Sequence, residues 1–112
     1  MPYLERRITR AISTTYKEYG YEEAASWFRR LYYDTALTSP STYGCLLKVT
    51  EPSHIVFGSD YCMADEDETV YGIDAIDGYE GFDKQMREAI YYKNALTLLP
   101  RLQSMVADTH YA

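Results

Sequence analysis

The sequence predicts an α/β fold in which parallel strands alternate with helices. Two short runs rich in β-forming residues, at 31–35 and 54–58, each follow a segment with helical periodicity. This helix–strand–helix–strand order is typical of a parallel sheet covered by helices. The apolar residues Ile55, Val56 and Phe57 are consecutive, so we expect both faces of that strand to be buried. Since two strands cannot shield each other, the 112-residue chain is expected to be incomplete as an independent fold.

Two helices are predicted before the first strand run. Apolar residues at helical spacing predict a first helix over 4–19, which we expect Gly20 to end. A shorter helix is predicted from Glu22 to Arg30, with Ala25 and Phe28 on one face. Both helices therefore precede the strand run at the amino-terminal side.

A third helix is predicted between the two strand runs. Ser39 followed by Pro40 indicates its start, because a hydroxyl side chain can cap a helix and proline is favoured at the first helical position. We expect this helix to continue to about Val49, and 51–53 to interrupt it. Its buried face is expected to carry Tyr43, Leu46 and Leu47.

After the second strand run the chain is acidic and punctuated by glycines. A solvated loop with a short helix is predicted over 65–83, because the residue spacing of a calcium-binding EF-hand is absent. Asp83 is expected to cap a final helical stretch. Asn94 is expected to begin a last turn that runs through Leu98 and is ended by Pro100.

Charge and cysteine content exclude several classes of partner. The formal net charge is -6 and the basic residues are scattered along the sequence, which argues against nucleic acid and anionic membranes as partners. No apolar run approaches the roughly 20 residues that span a bilayer, and the amino terminus lacks the pattern of a signal peptide. Cys45 and Cys62 fit no CxxC pattern. We therefore expect reduced thiols and a cytoplasmic protein.

Carboxylates follow both predicted strands. Asp60 comes after Gly58 and Ser59, two small residues that allow a ligand to approach the backbone. In parallel α/β folds, ligands bind beyond the carboxyl ends of the strands. Asp34 occupies the matching position after the preceding strand, and the two could form a general acid–base pair. The alternative for Asp60 is a turn or helix cap, and for Asp34 a structural bond to Thr35 or a loop amide.

The remaining reactive residues carry weaker functional hypotheses. Cys62 lies near the same rim as Asp60, but a nucleophilic thiol needs a nearby base and no histidine is available there. His54 opens the strand that Asp60 follows, about 20 Å away at 3.3 Å per residue, so we expect a structural role for His54. His110 lies in the tail, where we expect fraying.

Taken together, these segments resemble the last third of the amidohydrolase-related decarboxylases, a family that includes aminocarboxymuconate-semialdehyde decarboxylase and the resorcylate and 6-methylsalicylate decarboxylases. The resemblance covers nearly the whole chain and rests on several collinear motifs. These motifs are Pro2-Tyr3-Leu4 with Arg7-Ile8, Leu31-Tyr32-Tyr33-Asp34-Thr35-Ala36, Ser39-Pro40, Ser53-His54-Ile55-Val56-Phe57-Gly58-Ser59-Asp60-Tyr61, Gly81-Phe82-Asp83, Tyr92-Lys93-Asn94-Ala95 and Leu99-Pro100-Arg101-Leu102.

The resemblance implies that residues 1–112 are the carboxyl-terminal part of a (β/α)₈ barrel and supply its strands seven and eight. A complete barrel takes about 250 residues, so most of the barrel is expected to lie outside this chain. Family members bind one divalent ion through histidines of earlier strands and the aspartate that ends strand eight, which maps onto Asp60. The catalytic histidine of strand six would precede Met1, so Met1 is expected to be internal to a longer protein. Cys62 replaces the usual proline of the family.

By the same resemblance, the expected activity is non-oxidative decarboxylation of a small aromatic or unsaturated carboxylic acid. The cofactor is expected to be zinc, with manganese as the alternative, held only in the complete barrel. Asp60 would be both metal ligand and catalytic residue, and Asp34, Ser59 and Cys62 would be rim residues. Metal-dependent hydrolysis and a non-catalytic fragment that binds an intact barrel stay open as alternatives. The full-length protein is also expected to allow a homo-oligomer.

Overall fold

A computed structural model describes the backbone of residues 2–108 and the side chains of residues 3–106. Met1 and His110, for which the sequence led to specific expectations, lie outside the described residues. Helices dominate the chain, and no described helix combines the length and apolar character needed to cross a bilayer. In order, the elements are α1 (Pro2–Thr15), α2 (Tyr21–Arg30), β1 (Tyr33–Asp34), α3 (Pro40–Val49), a 3₁₀ turn (Pro52–His54), β2 (Ile55–Val56), α4 (Glu66–Gly78), α5 (Lys84–Glu88), a π turn (Ala89–Lys93), α6 (Asn94–Leu98) and α7 (Arg101–Asp108).

The first two helices pack against each other; α2 ends at Arg30 as predicted, whereas α1 ends earlier than predicted. Helix α1 stops at Thr15. Just before this end, the hydroxyls of Ser13 and Thr14 both donate to the carbonyl of Arg10. Such side-chain bonds to the backbone compete with continuation of the helix. Gly20 does not end α1. It lies in extended conformation (φ -69°, ψ 161°) immediately before α2.

The two strands pair in parallel, as predicted. Tyr33 is opposite Ile55 and Asp34 is opposite Val56. Both strands are shorter than the predicted runs, yet the ladder extends one residue further, since the Thr35 amide donates to the Val56 carbonyl at 3.1 Å. The carboxyl ends of β1 and β2 therefore lie side by side at one edge of the sheet.

Burial of β2 is one-sided, so the prediction that both its faces are buried was wrong. Ile55 is fully buried and Phe57 packs on the same core. Val56, which points to the opposite face because side chains alternate along a strand, is only half-buried. The core lies on the Ile55 face and is formed by Tyr43, Leu46, Ile55, Ala75, Ile76, Phe82 and Ile90.

Helix α3 matches the prediction in extent and in its buried residues. It begins at Pro40 and buries Tyr43 and Leu46, while Leu47 is half-buried. Ser39 precedes the helix but makes no capping bond to a helix amide; its hydroxyl lies 2.8 Å from that of Ser41 instead. Of the predicted start pattern, the structure therefore confirms the proline at the first helical position but not the serine cap.

The acidic segment forms a longer helix than predicted. Instead of a loop with a short helix, it contains the 13-residue α4. The Asp65 carboxylate accepts a hydrogen bond from the Glu68 amide at 3.0 Å, and carboxylates in the first turn interact favourably with the helix dipole. Ala75 and Ile76 then bury the last turns against the core. The Asp65 cap and the apolar contact of Ala75 and Ile76 stabilise α4 by more than its glycines destabilise it.

The chain after Asp83 is one continuous helical segment, which we call the edge helix and define as α5, the π turn and α6. Asp83 caps it as predicted, accepting from the Met86 amide at 2.8 Å. Helix α6 has the predicted bounds, Asn94–Leu98, but it does not start afresh, because the π turn joins it to α5 without a break. Helix α7 follows Pro100, in the segment that the resemblance places among the closing helices of the family.

Candidate functional site

The candidate site lies at the shared carboxyl edge of β1 and β2. Asp34 is the last residue of β1, and Gly58 follows β2. The Asp34 side chain lies directly over Gly58: a β-carbon on Gly58 would come within 2.9 Å of Asp34 Oδ1 and 3.1 Å of its β-carbon. The fold therefore brings together the two predicted strand ends, and glycine is needed at position 58 for this approach.

Thr35 ties the two strand ends together. Its side chain is buried, and its hydroxyl oxygen accepts a hydrogen bond from the Gly58 amide at 3.2 Å. Its carbonyl oxygen accepts a hydrogen bond from the Thr38 hydroxyl at 2.6 Å. Because Thr35 also bonds to Val56 through its amide, it fixes the start of the loop that carries Asp60. The sequence signal for this role is only a threonine that directly follows a β-rich run.

The Asp34 carboxylate is occupied by its own loop. Oδ1 accepts a hydrogen bond from the Ala36 amide at 2.8 Å, which is the two-residue bond of an Asx turn. The structural alternative for Asp34, a bond to a loop amide, is therefore present.

Asp60 differs from Asp34 in both backbone and side chain. Its φ angle is 56°, in the left-handed region that non-glycine residues seldom adopt but aspartate tolerates. Its carbonyl accepts from the Ala64 amide at 2.8 Å. The side chain is exposed, and no described residue donates a hydrogen bond or forms an ion pair with its carboxylate. A strained residue with a free carboxylate at a strand end is typical of a functional position.

Ser59 and Cys62 flank Asp60 without forming a catalytic arrangement. The Ser59 hydroxyl oxygen accepts a hydrogen bond from the Tyr61 amide at 3.2 Å, so it shapes the turn. Cys62 is an exposed free thiol, as is Cys45. Ser59 and Cys62 lie on the loop that holds Asp60, and their roles as rim residues stay predictions.

His54 has a structural environment at the opposite end of β2. Its ring stacks on Tyr32 with centroids 4.4 Å apart and planes inclined by 15°. Its Nδ1 lies 3.1 Å from the Leu31 carbonyl oxygen. These contacts join the start of β2 to the segment before β1, which agrees with the structural role predicted for His54.

Tyr33 fixes β1 to the preceding helix. Its hydroxyl donates to the Phe28 carbonyl at 2.8 Å. Burial, followed by the negative charge of Glu5, raises the pKa of the Tyr33 phenol. The neutral donor form is therefore favoured in the folded chain.

A divalent ion would find one suitable ligand here. Carboxylate oxygens are hard ligands for such ions, and the Asp60 carboxylate is exposed and has no partner among the described residues. Among the side chains of residues 3–106, no three His, Cys, Asp or Glu residues come together as a metal site. The described residues therefore fit a contribution of one ligand rather than a complete centre.

A second feature is a basic groove on α1, whose lining residues all belong to that helix. It has a volume of about 700 Å³ and is lined by three arginines, Arg6, Arg7 and Arg10, beside Tyr3. The basic residues are therefore less scattered than expected from the sequence. Their spacing of one and four residues, on one side of a helix, is the pattern that could have indicated this.

Two comparisons with known proteins bear on the family. The family model described as amidohydrolase matches residues 7–101. A 6-methylsalicylic acid decarboxylase from Penicillium expansum is 29% identical over 109 residues, which cover 95% of this chain and 33% of the relative. The chain thus spans about a third of the length of that curated relative.

The family-model match covers the segments on which the predicted resemblance rests, except Pro2-Tyr3-Leu4, which precede Arg7, and Leu102. The resemblance to amidohydrolase-related decarboxylases is therefore confirmed. The parallel pairing of β1 and β2 agrees with an α/β fold of this kind. Since the family model matches far more than half of the chain, the protein belongs to the amidohydrolase family, a (β/α)₈-barrel superfamily.

Proposed function

We propose that this chain contributes to a metal-dependent decarboxylase that removes carbon dioxide from a small aromatic or unsaturated carboxylic acid. The observation that carries the proposal is the Asp60 carboxylate, which is exposed and unpartnered among the described residues and lies just beyond the carboxyl end of β2. The similarity to a 6-methylsalicylic acid decarboxylase supports the reaction class. The activity belongs to the complete barrel, of which residues 1–112 are the carboxyl-terminal part.

In this proposal, β1 and β2 are the seventh and eighth strands of the barrel. Their parallel pairing and the position of Asp60 after β2 support the assignment. Asp34 then ends strand seven, at the same edge of the sheet as the loop that carries the metal ligand after strand eight. Because the Ala36 amide occupies one Asp34 oxygen, we assign Asp34 to loop positioning rather than to proton transfer.

The proposed metal is zinc, with manganese as the alternative, and Asp60 is the residue of this chain that would hold it. Such an ion acts as a Lewis acid on a bound carboxylate and a neighbouring oxygen. Asp60 would also hold and release a proton through its carboxylate oxygen as the carbon–carbon bond breaks. Thr35 and Gly58 keep the loop of Asp60 in register with β1 through the 3.2 Å amide–hydroxyl bond. Ser59 and Cys62 form part of the rim.

Hydrolysis of a related substrate is the second candidate. The specific observation that favours it is the family description, amidohydrolase. Both reactions use one divalent ion and the same aspartate, so Asp60 alone does not separate them. A direct comparison of carbon dioxide release from aromatic carboxylic acids with hydrolysis of lactones and amides would do so.

A chimeric barrel tests the proposal. In it, residues 1–112 replace the matching third of the Penicillium expansum relative, and decarboxylation of 6-methylsalicylic acid is measured by release of carbon dioxide. We expect Asp60→Asn to lower kcat/KM by at least about a hundredfold, since it removes a metal ligand and a proton carrier. The matched control, Asp34→Asn, is expected to retain activity within about tenfold.

Equal losses in the two variants would remove the proposed distinction between the aspartates, and full activity of Asp60→Asn would contradict the proposal. The 112-residue chain alone is expected to show no turnover, because one carboxylate does not hold a divalent ion tightly. Stoichiometric metal and turnover in the chain alone would contradict that expectation. Cytoplasmic localisation stays a prediction.

A further inference from the structure

Leu37 lies in the loop that follows β1, three residues after Asp34. Its φ angle is 54°, in the left-handed region where a bulky side chain is strongly disfavoured. Among the described residues, the other non-glycine residue with a positive φ angle is Asp60, in the loop after β2. Each of the two strands is therefore followed by a loop that holds one residue in an unfavourable backbone conformation.

Hydrogen bonds on both sides of Leu37 hold its loop in this conformation. The Ala36 amide donates to Asp34 Oδ1 at 2.8 Å. The amide and the hydroxyl of Thr38 both donate to the Thr35 carbonyl, at 3.3 Å and 2.6 Å. These bonds close a four-residue turn over 35–38 with Leu37 at its third position, where a positive φ angle favours glycine or asparagine. The turn thus disfavours the leucine that it contains.

Burial does not account for Leu37 either. In the described part of the chain, 64% of its surface is exposed, and it does not belong to the hydrophobic core. Neither the preference of the backbone nor packing within these residues therefore explains a large apolar side chain at this position. Residues held in disfavoured conformations cluster at active sites and at clamps that hold ligands.

The loops of Leu37 and Asp60 leave the same edge of the sheet as neighbours, because Gly58 packs directly against Asp34. Loops at this edge form the active site in (β/α)₈ barrels. Small-molecule sites combine apolar side chains with a few charged groups, and a small aromatic acid has one charged and one apolar part. We propose that Leu37 is a specificity-determining residue that contacts the hydrocarbon part of the substrate, while the substrate carboxylate lies at the metal of Asp60. This inference rests on the proposed function and names the apolar side of the same site.

Steady-state kinetics of the chimeric barrel test the contact. Leu37→Asn removes the apolar side chain but keeps the turn, because asparagine tolerates the left-handed backbone. We expect this variant to raise the KM for 6-methylsalicylic acid about tenfold and to leave kcat within about twofold, since the contact is made equally before and in the transition state. Leu37→Met retains an apolar side chain and is expected to keep the KM within about twofold. Leu31→Asn, at an exposed leucine before β1, is the matched control and should not change the KM.

Calorimetric titration with 3-methylphenol, the product that remains when 6-methylsalicylic acid loses carbon dioxide, measures the same contact without turnover. We expect Leu37→Asn to weaken the Kd for 3-methylphenol by about tenfold as well. If the chimera needs Asp60 for activity but Leu37→Asn changes neither KM nor Kd, this inference is overturned and the proposed function stands. If the chimera binds 3-methylphenol without decarboxylating its substrate, the proposed function is contradicted, and a weaker Kd in Leu37→Asn still supports the contact.

Thermal unfolding of the ligand-free chimera separates a substrate contact from packing against another loop of the barrel. We expect the unfolding midpoint of Leu37→Asn to equal or exceed that of the unsubstituted chimera, because asparagine relieves the strain of the left-handed backbone and no buried surface is lost. A lower midpoint would show that another part of the barrel covers Leu37, and would overturn its assignment to the substrate.

Discussion

An aspartate ends β1 and another lies in the loop after β2, and the two side chains are used differently. Asp34 ends β1 and satisfies its own loop, with the Ala36 amide at 2.8 Å from Oδ1. Asp60 follows β2 in a left-handed backbone conformation and offers its carboxylate to solvent. One aspartate side chain therefore stabilises a turn, whereas the other residue bonds to the Ala64 amide through its backbone carbonyl and leaves its carboxylate without a described partner. This difference is what separates a structural carboxylate from a candidate ligand.

The ends of the two strands contact each other through Gly58 and the side chain of Asp34. Gly58 has no positive φ angle, so its role is space rather than backbone freedom. The nearest atom to a β-carbon at this position, Asp34 Oδ1, is itself fixed by the Ala36 amide. Changes at Gly58 should consequently disturb the structural aspartate first and the loop of Asp60 second.

The largest effect is expected for Gly58→Ala, which we predict to lower the free energy of unfolding by about 2 kcal/mol. The added β-carbon would lie 2.9 Å from Asp34 Oδ1, so the Asx turn or the strand end has to move, at the cost typical of overpacking. Urea denaturation of the 112-residue chain, followed by circular dichroism, measures the change.

A double-mutant cycle tests the cause of this loss. If the clash with Asp34 is responsible, Asp34→Ala should recover about half or more of the destabilisation caused by Gly58→Ala, because the obstructing carboxylate is gone. Additive effects of the two substitutions would contradict this explanation. Gly72→Ala in α4 is the matched control, since a β-carbon there meets nothing within 4 Å.

Local sequence patterns suffice to predict part of this fold. Pro40 marks the start of α3, Asp83 caps the edge helix, and the strand runs indicate the parallel pairing. The sequence misleads where tertiary contacts decide. Asn94 resembles a free helix start, and α6 does begin there, yet the π turn precedes it without a break and its side chain is buried against β2. The length of α4 depends on Ala75 and Ile76 reaching a core that periodicity alone does not reveal.

The candidate site is predictable in outline for a different reason. Parallel sheets bind ligands at the carboxyl ends of their strands, so the order of helices and strands is enough to place Asp34 and the loop that carries Asp60 at the same edge of the sheet. That rule cannot tell them apart, because the Asx bond of Asp34 and the positive φ of Asp60 are properties of the folded backbone. The rule also does not predict the hydrogen bond from the Gly58 amide to the Thr35 hydroxyl, because these residues are 23 positions apart in the sequence.

A smaller effect is expected for Thr35→Val, which we predict to lower the free energy of unfolding by about 1.5 kcal/mol. Valine keeps the shape of the buried side chain but leaves the Gly58 amide without its acceptor at 3.2 Å, and an unsatisfied amide carries a desolvation cost. The measurement is again urea denaturation, with Thr35→Ser as the control that retains the hydroxyl. A loss in Thr35→Ser as large as that in Thr35→Val would assign the effect to packing instead of the bond.

The smallest effect has the opposite sign and separates the aspartates most directly. We predict that Asp60→Gly raises the free energy of unfolding of the chain by about 0.5 kcal/mol, because relief of the left-handed backbone slightly exceeds the entropy that glycine adds to the unfolded chain. Asp34→Gly should lower it, since the Asx bond is lost and no strain is relieved. The same Asp60→Gly change in the chimeric barrel should abolish decarboxylation. A residue whose removal stabilises the fold while ending the reaction is retained for function; destabilisation by Asp60→Gly would instead make Asp60 a second structural turn residue, equivalent to Asp34.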